Sequence, residues 1–207
     1  MKLLFKIFSI LLLVVLLAGC DAQNDGSLTF LRPNDVVVAF GDSLTSGVGD
    51  KPGVSYPAHL HRFIGRKVVN AGLPGETSAE GLKRLPGVID QYKPALVLIC
   101  HGGNDILQHL DKEALRQNIG QMCKIAQNRG AGVVLIAVPE LGMGLQDLAL
   151  YKELGEELNV PVLSGTLAEL LPDNRYSSPD DPVHLNGHGY KKLADAVAGL
   201  LADNGVL

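Results

Sequence analysis

Residues 36–47 of this chain read VVVAFGDSLTSG, and this stretch decides the fold. Its first part, Val36–Phe40, is a short apolar run without polar alternation, which is typical of a strand covered on both faces of a parallel sheet. Gly41-Asp42-Ser43 follows at once and predicts a turn, because Asp and Ser hydrogen-bond to nearby backbone. Ligands bind beyond the carboxyl ends of the strands in an open parallel sheet. Ser43 therefore stands where a nucleophile is useful.

Further apolar runs alternate with segments of helical periodicity along the rest of the chain. The other strand candidates are Lys67–Asn70, Ala95–Cys100, Gly132–Val138 and a weaker run at Val160–Leu163. The helix candidates are Tyr56–Ile64, Ser78–Tyr92 (interrupted at Pro86), Asp111–Arg129, Gln146–Leu158 and Gly187–Leu201. This alternation predicts an α/β domain with three layers, α/β/α, around a doubly wound parallel sheet of five strands in the flavodoxin-like order.

The first residues have the pattern of a secretory signal. Lys2 and Lys6 precede an apolar run, Ile7–Ala18. This run is shorter than the roughly 20 apolar residues needed to span a bilayer. The run ends in Leu-Ala-Gly-Cys at residues 17–20, which resembles the bacterial lipobox. That resemblance implies cleavage before Cys20 and lipidation of this cysteine. An ordinary secretory signal and an uncleaved anchor are the alternatives.

These features divide the chain into a signal peptide at 1–19, a lipidated Cys20 with a polar tether at 20–33, and one domain at 34–207. A domain of this length can bury a sizeable core. The chain has 207 residues, a formal net charge of −4, no Trp and no basic run, so its composition argues against nucleic-acid binding. Cys100 and Cys123 lack metal-like spacing, and we interpret both as small buried residues rather than a disulfide.

Three more motifs follow predicted strands or precede the last helix. The glycine of Asn70–Gly72 (NAG) permits a sharp turn and leaves its N–H open to a ligand. His101–Asp105 (HGGND) brings the neutral amide of Asn104, which can stabilise negative charge. Asp181–Asn186 (DPVHLN) holds an Asp and a His three positions apart, the acid–base pair that a serine nucleophile needs. Taken singly, each motif is also an ordinary turn.

Other kinds of site fit the sequence less well. The segment GDSLT has Thr45 where the G-x-S-x-G elbow requires its second glycine. His184 and His188 have the spacing of a metal pair, but H-E-x-x-H is absent and Asn-Gly at 186–187 breaks the helix between them, so we expect neither metal nor cofactor. We expect Asp42 and Asp105 to accept hydrogen bonds within their loops. His101 could border the site, although no acid lies at a triad-like spacing from it.

Together, the four blocks FGDSLTSG, NAGLPGETS, GGND and D-x-x-H resemble the SGNH (GDSL) hydrolase family, in particular its periplasmic arylesterase, thioesterase I and lysophospholipase group. The resemblance implies that Ser43 is the nucleophile, His184 its base and Asp181 the residue that orients the imidazole. It also implies an oxyanion hole formed by the backbone N–H groups of Ser43 and Gly72 and by the side chain of Asn104. The family often has glycine at position 182, where this chain has proline, which bears on loop flexibility.

The resemblance implies a serine esterase that hydrolyses carboxylic esters or thioesters through an acyl-serine intermediate. A carbohydrate O-acetyl esterase or acyltransferase uses the same site and stays an alternative, as does a non-catalytic envelope lipoprotein. We expect a monomer, held by its lipid on the periplasmic face of a membrane of the bacterial cell envelope, that acts on a small acyl ester or thioester and binds no nucleic acid. We also expect the glycine-rich segment after the fourth strand to border the acyl pocket through Leu141, Met143 and Leu145.

Overall fold

The computed structural model describes residues 28–140 and 144–207. The strands within these ranges are β1 (Val36–Gly41), β2 (Lys67–Gly72), β3 (Leu96–Cys100), β4 (Gly132–Ile136), β5 (Pro139–Glu140), β6 (Gln146–Asp147), β7 (Val162–Leu163), β8 (Ser177–Ser178) and β9 (Asp181–Leu185). Five of them form a parallel sheet in the order β2-β1-β3-β4-β7, and β5-β6 and β8-β9 form two small hairpins. The predicted doubly wound, flavodoxin-like sheet is confirmed.

The helices of the described ranges are α1 (Ser43–Ser46), α2 (Tyr56–Ile64), α3 (Ser78–Tyr92), α4 (Gly103–Leu107), α5 (Lys112–Asn128), α6 (Ala149–Leu158), α7 (Thr166–Leu170) and α8 (Gly187–Asp203). α2 packs against α8, whereas α3 packs against α5 and α5 against α6. The central strands β1, β3 and β4 are buried almost throughout, so both faces of the sheet are covered. Their unbroken apolar sequences are explained by this burial, since each fully buried Val, Leu or Ile stabilises the fold by about 1.5–3 kcal/mol.

The strand register brings the functional loops to one level. Gly41, the last residue of β1, is paired with Gly72 of β2 on one side and with Cys100 of β3 on the other. A Cβ at Gly41 would lie 2.0 Å from the carbonyl oxygen of Cys100, so only glycine permits this approach of the two strands. The segments that leave β1, β2 and β3 therefore meet at one edge of the sheet.

Two predicted boundaries are wrong for identifiable reasons. α3 is not interrupted at Pro86 but continues through it. Leu85 and Ile89 beside this proline are both buried in the core, and their packing compensates for the hydrogen bond that proline removes. The helix predicted from Gln146 begins instead at Ala149, because residues 146–147 pair with 139–140 in a hairpin.

Cys100 and Cys123 are buried free thiols, as predicted. The signal peptide, Cys20 and most of the tether lie outside the described residues, as do Leu141 and Met143. Among the helices within 28–140 and 144–207, none has the length and apolar character needed to cross a bilayer.

Candidate active site

The serine of the first motif lies at the beginning of α1, directly after β1. Asp42 caps this helix, because its Oδ1 accepts the N–H of Leu44 at 3.1 Å. Asp42 is 1% exposed, and burial raises the pKa of its carboxyl group. The loop hydrogen bonding predicted for this residue is confirmed. The N–H of Ser43 has no acceptor among the described residues, so it is free to bind a ligand atom.

The hydroxyl of Ser43 is joined to a histidine and an aspartate from the other end of the chain. The Oγ of Ser43 lies 2.7 Å from Nε2 of His184, and Nδ1 of His184 lies 2.6 Å from Oδ2 of Asp181. With the proton assigned to Nδ1, the histidine donates to the carboxylate, and its Nε2 can accept the serine proton. The arrangement is a hydroxyl–imidazole–carboxylate relay in which the hydroxyl can become a nucleophile.

The histidine and aspartate lie on a strand, not on the turn that the sequence predicted. Strand β9 pairs with β8 through Ser177–Leu185 and Ser178–Asp181, with an irregularity between the two serines. Residues three apart on a regular strand point to opposite faces. The register shift shows that β9 does not alternate regularly between Asp181 and Leu185. Because of this irregularity, the imidazole of His184 and the carboxylate of Asp181 can lie on the same side of the strand.

Asn104 is the second residue of the short helix α4, and its Nδ2 donates to the carbonyl oxygen of Glu76 at 3.0 Å. An amide NH₂ has two hydrogens, so one of them stays available. Asn104 also lines a cleft together with Ser43 and His184. The structure thus brings the predicted amide donor to the same space as the relay.

The structure does not leave the predicted backbone donor Gly72 free. Its N–H donates to Oδ1 of Asn70 at 3.0 Å, and a Cβ at this glycine would lie 2.3 Å from the backbone nitrogen of Ser46. Gly72 is therefore a packing position against α1, and its lack of a side chain is explained by that close approach.

A second glycine in the same block fits the donor role instead. Gly75 has φ +82° and precedes Glu76, whose carbonyl holds the amide of Asn104. The Glu76 N–H donates to the Leu73 carbonyl at 3.2 Å, which closes a turn with Pro74 and Gly75 at its centre. Within the described chain, the Gly75 N–H has no acceptor. The Pro-Gly pair of NAGLPGETS, a standard turn signal, could have indicated this position.

Behind these loops lies a buried group of charged side chains that the sequence did not predict. Glu76 is 5% exposed and accepts hydrogen bonds from Arg84, while Nε2 of His101 lies 3.1 Å from its Oε2. An acid thus does meet His101, although it comes from a different loop. Asp105 accepts from both the N–H and the hydroxyl of Ser78, as expected of a loop carboxylate.

The cleft above Ser43 is open to solvent. Beside the polar groups of the relay, its lining is mostly apolar: Leu44, Ile106, Leu107, Val138, Pro139, Leu171 and Val183. Leu145, which we expected in the acyl pocket, instead packs against the core and is not part of this lining. Among the described residues, no group of three or more His, Cys, Asp or Glu could hold a metal ion.

Comparisons with known proteins show which family the chain is similar to. The sequence profile described as the GDSL-like Lipase/Acylhydrolase family matches residues 39–192. The chain is 30% identical over 171 residues to Thioesterase 1/protease 1/lysophospholipase L1 of Escherichia coli (strain K12), which covers 79% of this chain and 82% of that protein. It is 28% identical over 177 residues to Arylesterase of Vibrio mimicus, covering 81% and 88% of the two chains. The crystal structure of TesA superposes with a TM-score of 0.74 at 25% identity, over 82% of this chain and 99% of the other.

Proposed function

This chain belongs to the GDSL-like Lipase/Acylhydrolase family and is a hydrolase of ester bonds, and on that premise we propose that Ser43, His184 and Asp181 carry out its chemistry. The observation that supports this assignment most directly is the pair of short contacts, 2.7 Å and 2.6 Å, that joins the three side chains. A serine hydroxyl is a weak nucleophile unless a neighbouring base removes its proton, and the relay supplies that base.

The reaction follows from this arrangement. The Oγ of Ser43 attacks the carbonyl carbon of the substrate while Nε2 of His184 takes the hydroxyl proton. The tetrahedral intermediate collapses to an acyl-serine, and His184 gives the proton to the departing alcohol or thiol. Water then attacks the acyl carbon with His184 again as base, which releases the acid and restores the serine. Asp181 accepts from Nδ1 of His184, which orients the ring and stabilises the imidazolium formed in each half of the reaction.

The oxyanion of the intermediate is bound, in this proposal, by the N–H of Ser43, the N–H of Gly75 and the amide of Asn104. Gly75 replaces Gly72 in this assignment because the N–H of Gly72 already donates to Asn70. Preorganised donors of this kind act on charge that develops only in the transition state, so they raise the rate rather than the affinity for substrate.

The lining of the cleft bears on the substrate. Apart from the relay, its walls are formed mainly by apolar side chains such as Ile106, Leu107 and Val138. Such walls suit an acyl chain better than a sugar, whose hydroxyls would lose hydrogen bonds with water on binding. We therefore favour acyl esters and thioesters, which the names of the relatives also mention, over a carbohydrate O-acetyl ester.

A labelling experiment tests the assignment of the nucleophile. A fluorophosphonate should add once to the purified protein, on Ser43, and stop hydrolysis of p-nitrophenyl esters and acyl thioesters. Ser43→Ala should abolish both. Ser46→Ala is a matched control, since Ser46 lies in the same short helix but donates only to the backbone of Ser43, and it should still be labelled. Activity that survives in Ser43→Ala, or an adduct on another residue, would refute the mechanism.

We also propose that Cys20 is lipidated and holds the domain on the periplasmic face of a bacterial membrane as a monomer. The basis is the Leu-Ala-Gly-Cys sequence at residues 17–20. The described chain begins near the amino end of β4, where Leu28 lies against Gly132, at the sheet edge opposite Ser43. Cys20→Ser should abolish detergent-phase partitioning in Triton X-114, and a lipid-free wild-type protein would contradict the proposal.

A further inference from the structure

We propose that Glu76 is a positioning residue of the oxyanion hole, held in place by Arg84 and His101. The inference rests on the proposed function, because it assigns Asn104 and Gly75 to oxyanion binding. It adds a set of residues that do not touch the substrate but determine where the two donors point.

Glu76 is the covalent and hydrogen-bonded link between both donors. Its carbonyl oxygen accepts one hydrogen of the Asn104 amide at 3.0 Å, which fixes the plane of the amide and the direction of its second hydrogen. The backbone nitrogen of Glu76 is covalently bonded to the carbonyl carbon of Gly75. The other donor, the N–H of Gly75, is therefore only one residue away along the chain. Any rotation of the backbone at Glu76 therefore moves both donors relative to Ser43.

The side chain of Glu76 is the part that fixes this backbone. Nε and Nη2 of Arg84 donate to Oε1 and Oε2, each at 2.6 Å, and the second oxygen also lies 3.1 Å from Nε2 of His101. A bidentate guanidinium–carboxylate pair is both strong and directional. Burial by itself raises the pKa of Glu76, but the hydrogen bonds from Arg84 and His101 outweigh it and lower the pKa.

Arg84 and His101 are themselves held at the carboxyl ends of β1, β2 and β3. Nη2 of Arg84 donates to the carbonyl of Ala71 at 3.0 Å, and its guanidinium lies 4.2 Å from the centre of the Phe40 ring. His101 is fully buried, and its ring occupies space that a Cβ at Gly81 would enter, at 2.4 Å from Nε2. These contacts thus fix the position of the Glu76 carboxylate relative to the sheet edge at which Ser43 lies.

The energetics favour a positioning role over a purely stabilising one. Desolvation offsets most of the attraction in a buried ion pair, and apolar replacements of such pairs are often equally stable. The loops have a separate connection, because the N–H and hydroxyl of Ser78 donate to Asp105 at 2.8 Å and 2.6 Å. The loops therefore remain linked when the carboxylate of Glu76 is changed. The direction in which the two oxyanion donors point, in contrast, depends on that carboxylate.

Three variants test the proposal: Glu76→Gln, Arg84→Lys and the control Arg116→Lys. Glutamine keeps the size and the backbone carbonyl but replaces one acceptor oxygen by an NH₂ donor, so it cannot accept from both Nε and Nη2 of Arg84. Arg84→Lys keeps the charge but loses the bidentate geometry. Arg116 pairs with Glu153 and Glu157 on the surface, so its variant reports the effect of an ion pair remote from the site.

The readouts are kcat, KM and the inhibition constant of a trifluoromethyl ketone, whose serine adduct carries an oxyanion. In Glu76→Gln and Arg84→Lys, we expect kcat to fall about 10- to 100-fold with KM within about twofold, and the ketone to bind more weakly by a similar factor. Arg116→Lys should change none of these. Circular dichroism and thermal unfolding identify any variant that fails to fold. If Glu76→Gln fails to fold, Arg84→Lys alone tests the proposal.

A double-mutant cycle with Asn104→Ala decides the mechanism. If Glu76 acts through Asn104 and Gly75, Glu76→Gln should cost clearly less in the Asn104→Ala background than in the wild type. Full additivity, or a folded Glu76→Gln protein with unchanged kcat, would overturn the positioning role alone. Loss of the proposed function shows differently, as esterase activity that persists in Ser43→Ala.

Discussion

The Oγ of Ser43 and Nε2 of His184 lie 2.7 Å apart although 141 positions separate the two residues. Each reaches this place on a different element, Ser43 at the beginning of α1 and His184 on the β8–β9 hairpin. Helix α8, which follows the hairpin, is tied to the segment after α1, because the hydroxyl of Tyr190 donates to the carbonyl of Val48 at 2.5 Å. The next residue, Gly49, lies directly against His184. The short distance between the two catalytic groups therefore depends on the absence of a side chain at Gly49.

We predict that Gly49→Ala impairs catalysis. A Cβ at this position would lie 2.6 Å from the carbonyl oxygen of Leu185 and 2.9 Å from the Cβ of His184, so the strand that carries the imidazole must shift. A shift of about 1 Å costs on the order of 100-fold in rate. Steady-state kinetics on a p-nitrophenyl ester measure the loss.

Gly53→Ala is the matched control for this prediction. Gly49 has φ +103° and Gly53 φ +85°, so both substitutions strain the backbone, but a Cβ at Gly53 meets no atom within 4 Å. We expect Gly53→Ala to lower the unfolding temperature slightly and to leave kcat unchanged. Equal kcat values in the two variants would show that the space beside His184 does not matter.

The carboxylate of Asp181 should control the tautomer of His184. Asp181→Asn keeps the shape of the side chain, but its amide can donate to Nδ1, which then leaves the proton on Nε2 and blocks acceptance from Ser43. We expect kcat to fall by about 10⁴-fold. Asp180→Asn changes the exposed neighbouring carboxylate and should have little effect. A near-normal kcat in Asp181→Asn would exclude a catalytic triad of Ser43, His184 and Asp181.

The assignment of Gly75 rather than Gly72 is decided by a crystal structure of the phosphonylated enzyme. The phosphoryl oxygen mimics the oxyanion, and we expect it within hydrogen-bond distance of the Gly75 nitrogen and of Nδ2 of Asn104. In kinetics, Asn104→Ala should lower kcat by about 10²- to 10³-fold with a small change in KM. A phosphoryl oxygen bound to the Gly72 nitrogen, with Asn70 turned away, would contradict the assignment.

The sequence predicted elements and motifs whose signals are local. The unbroken apolar runs identified β1, β3 and β4, and the predicted beginning of the last helix at Gly187 is confirmed, where the side chain of Asn186 accepts from two backbone N–H groups. The choice between Gly72 and Gly75 depends on a hydrogen bond to the side chain of Asn70, which no pattern of glycines reveals.

The buried charges behind the site escaped prediction for a related reason. Glu76 and Arg84 are 8 positions apart and Glu76 and His101 are 25 apart, so their contacts exist only once α3 packs against β1 and places Gly81 beside the ring of His101. Pro86 shows the opposite error, because a local rule predicted an interruption that burial of the neighbouring side chains overrides. Local propensity yields to tertiary packing in both cases.

The lowered pKa of Glu76 predicts how the stability of the protein depends on acid. The ordinary pKa of this group is 4.5, and hydrogen bonds from Arg84 and His101 lower it in the folded state. The unfolded chain then binds more protons near that pH, so the free energy of unfolding rises with pH through this window. The stabilisation by the carboxylate is complete above about pH 5 and is lost as the pH falls below 4.5 through the folded pKa.

Urea unfolding of the wild type and Glu76→Gln between pH 3 and pH 7 measures this contribution. We expect the wild type to be more stable at pH 7 and the difference to shrink as the pH falls, because glutamine cannot be protonated in this range. Glu169→Gln, which changes an exposed carboxylate on α7, controls for loss of a surface charge. A difference between wild type and Glu76→Gln that is the same at pH 3 and pH 7 would mean that Arg84 and His101 do not hold an ionised Glu76.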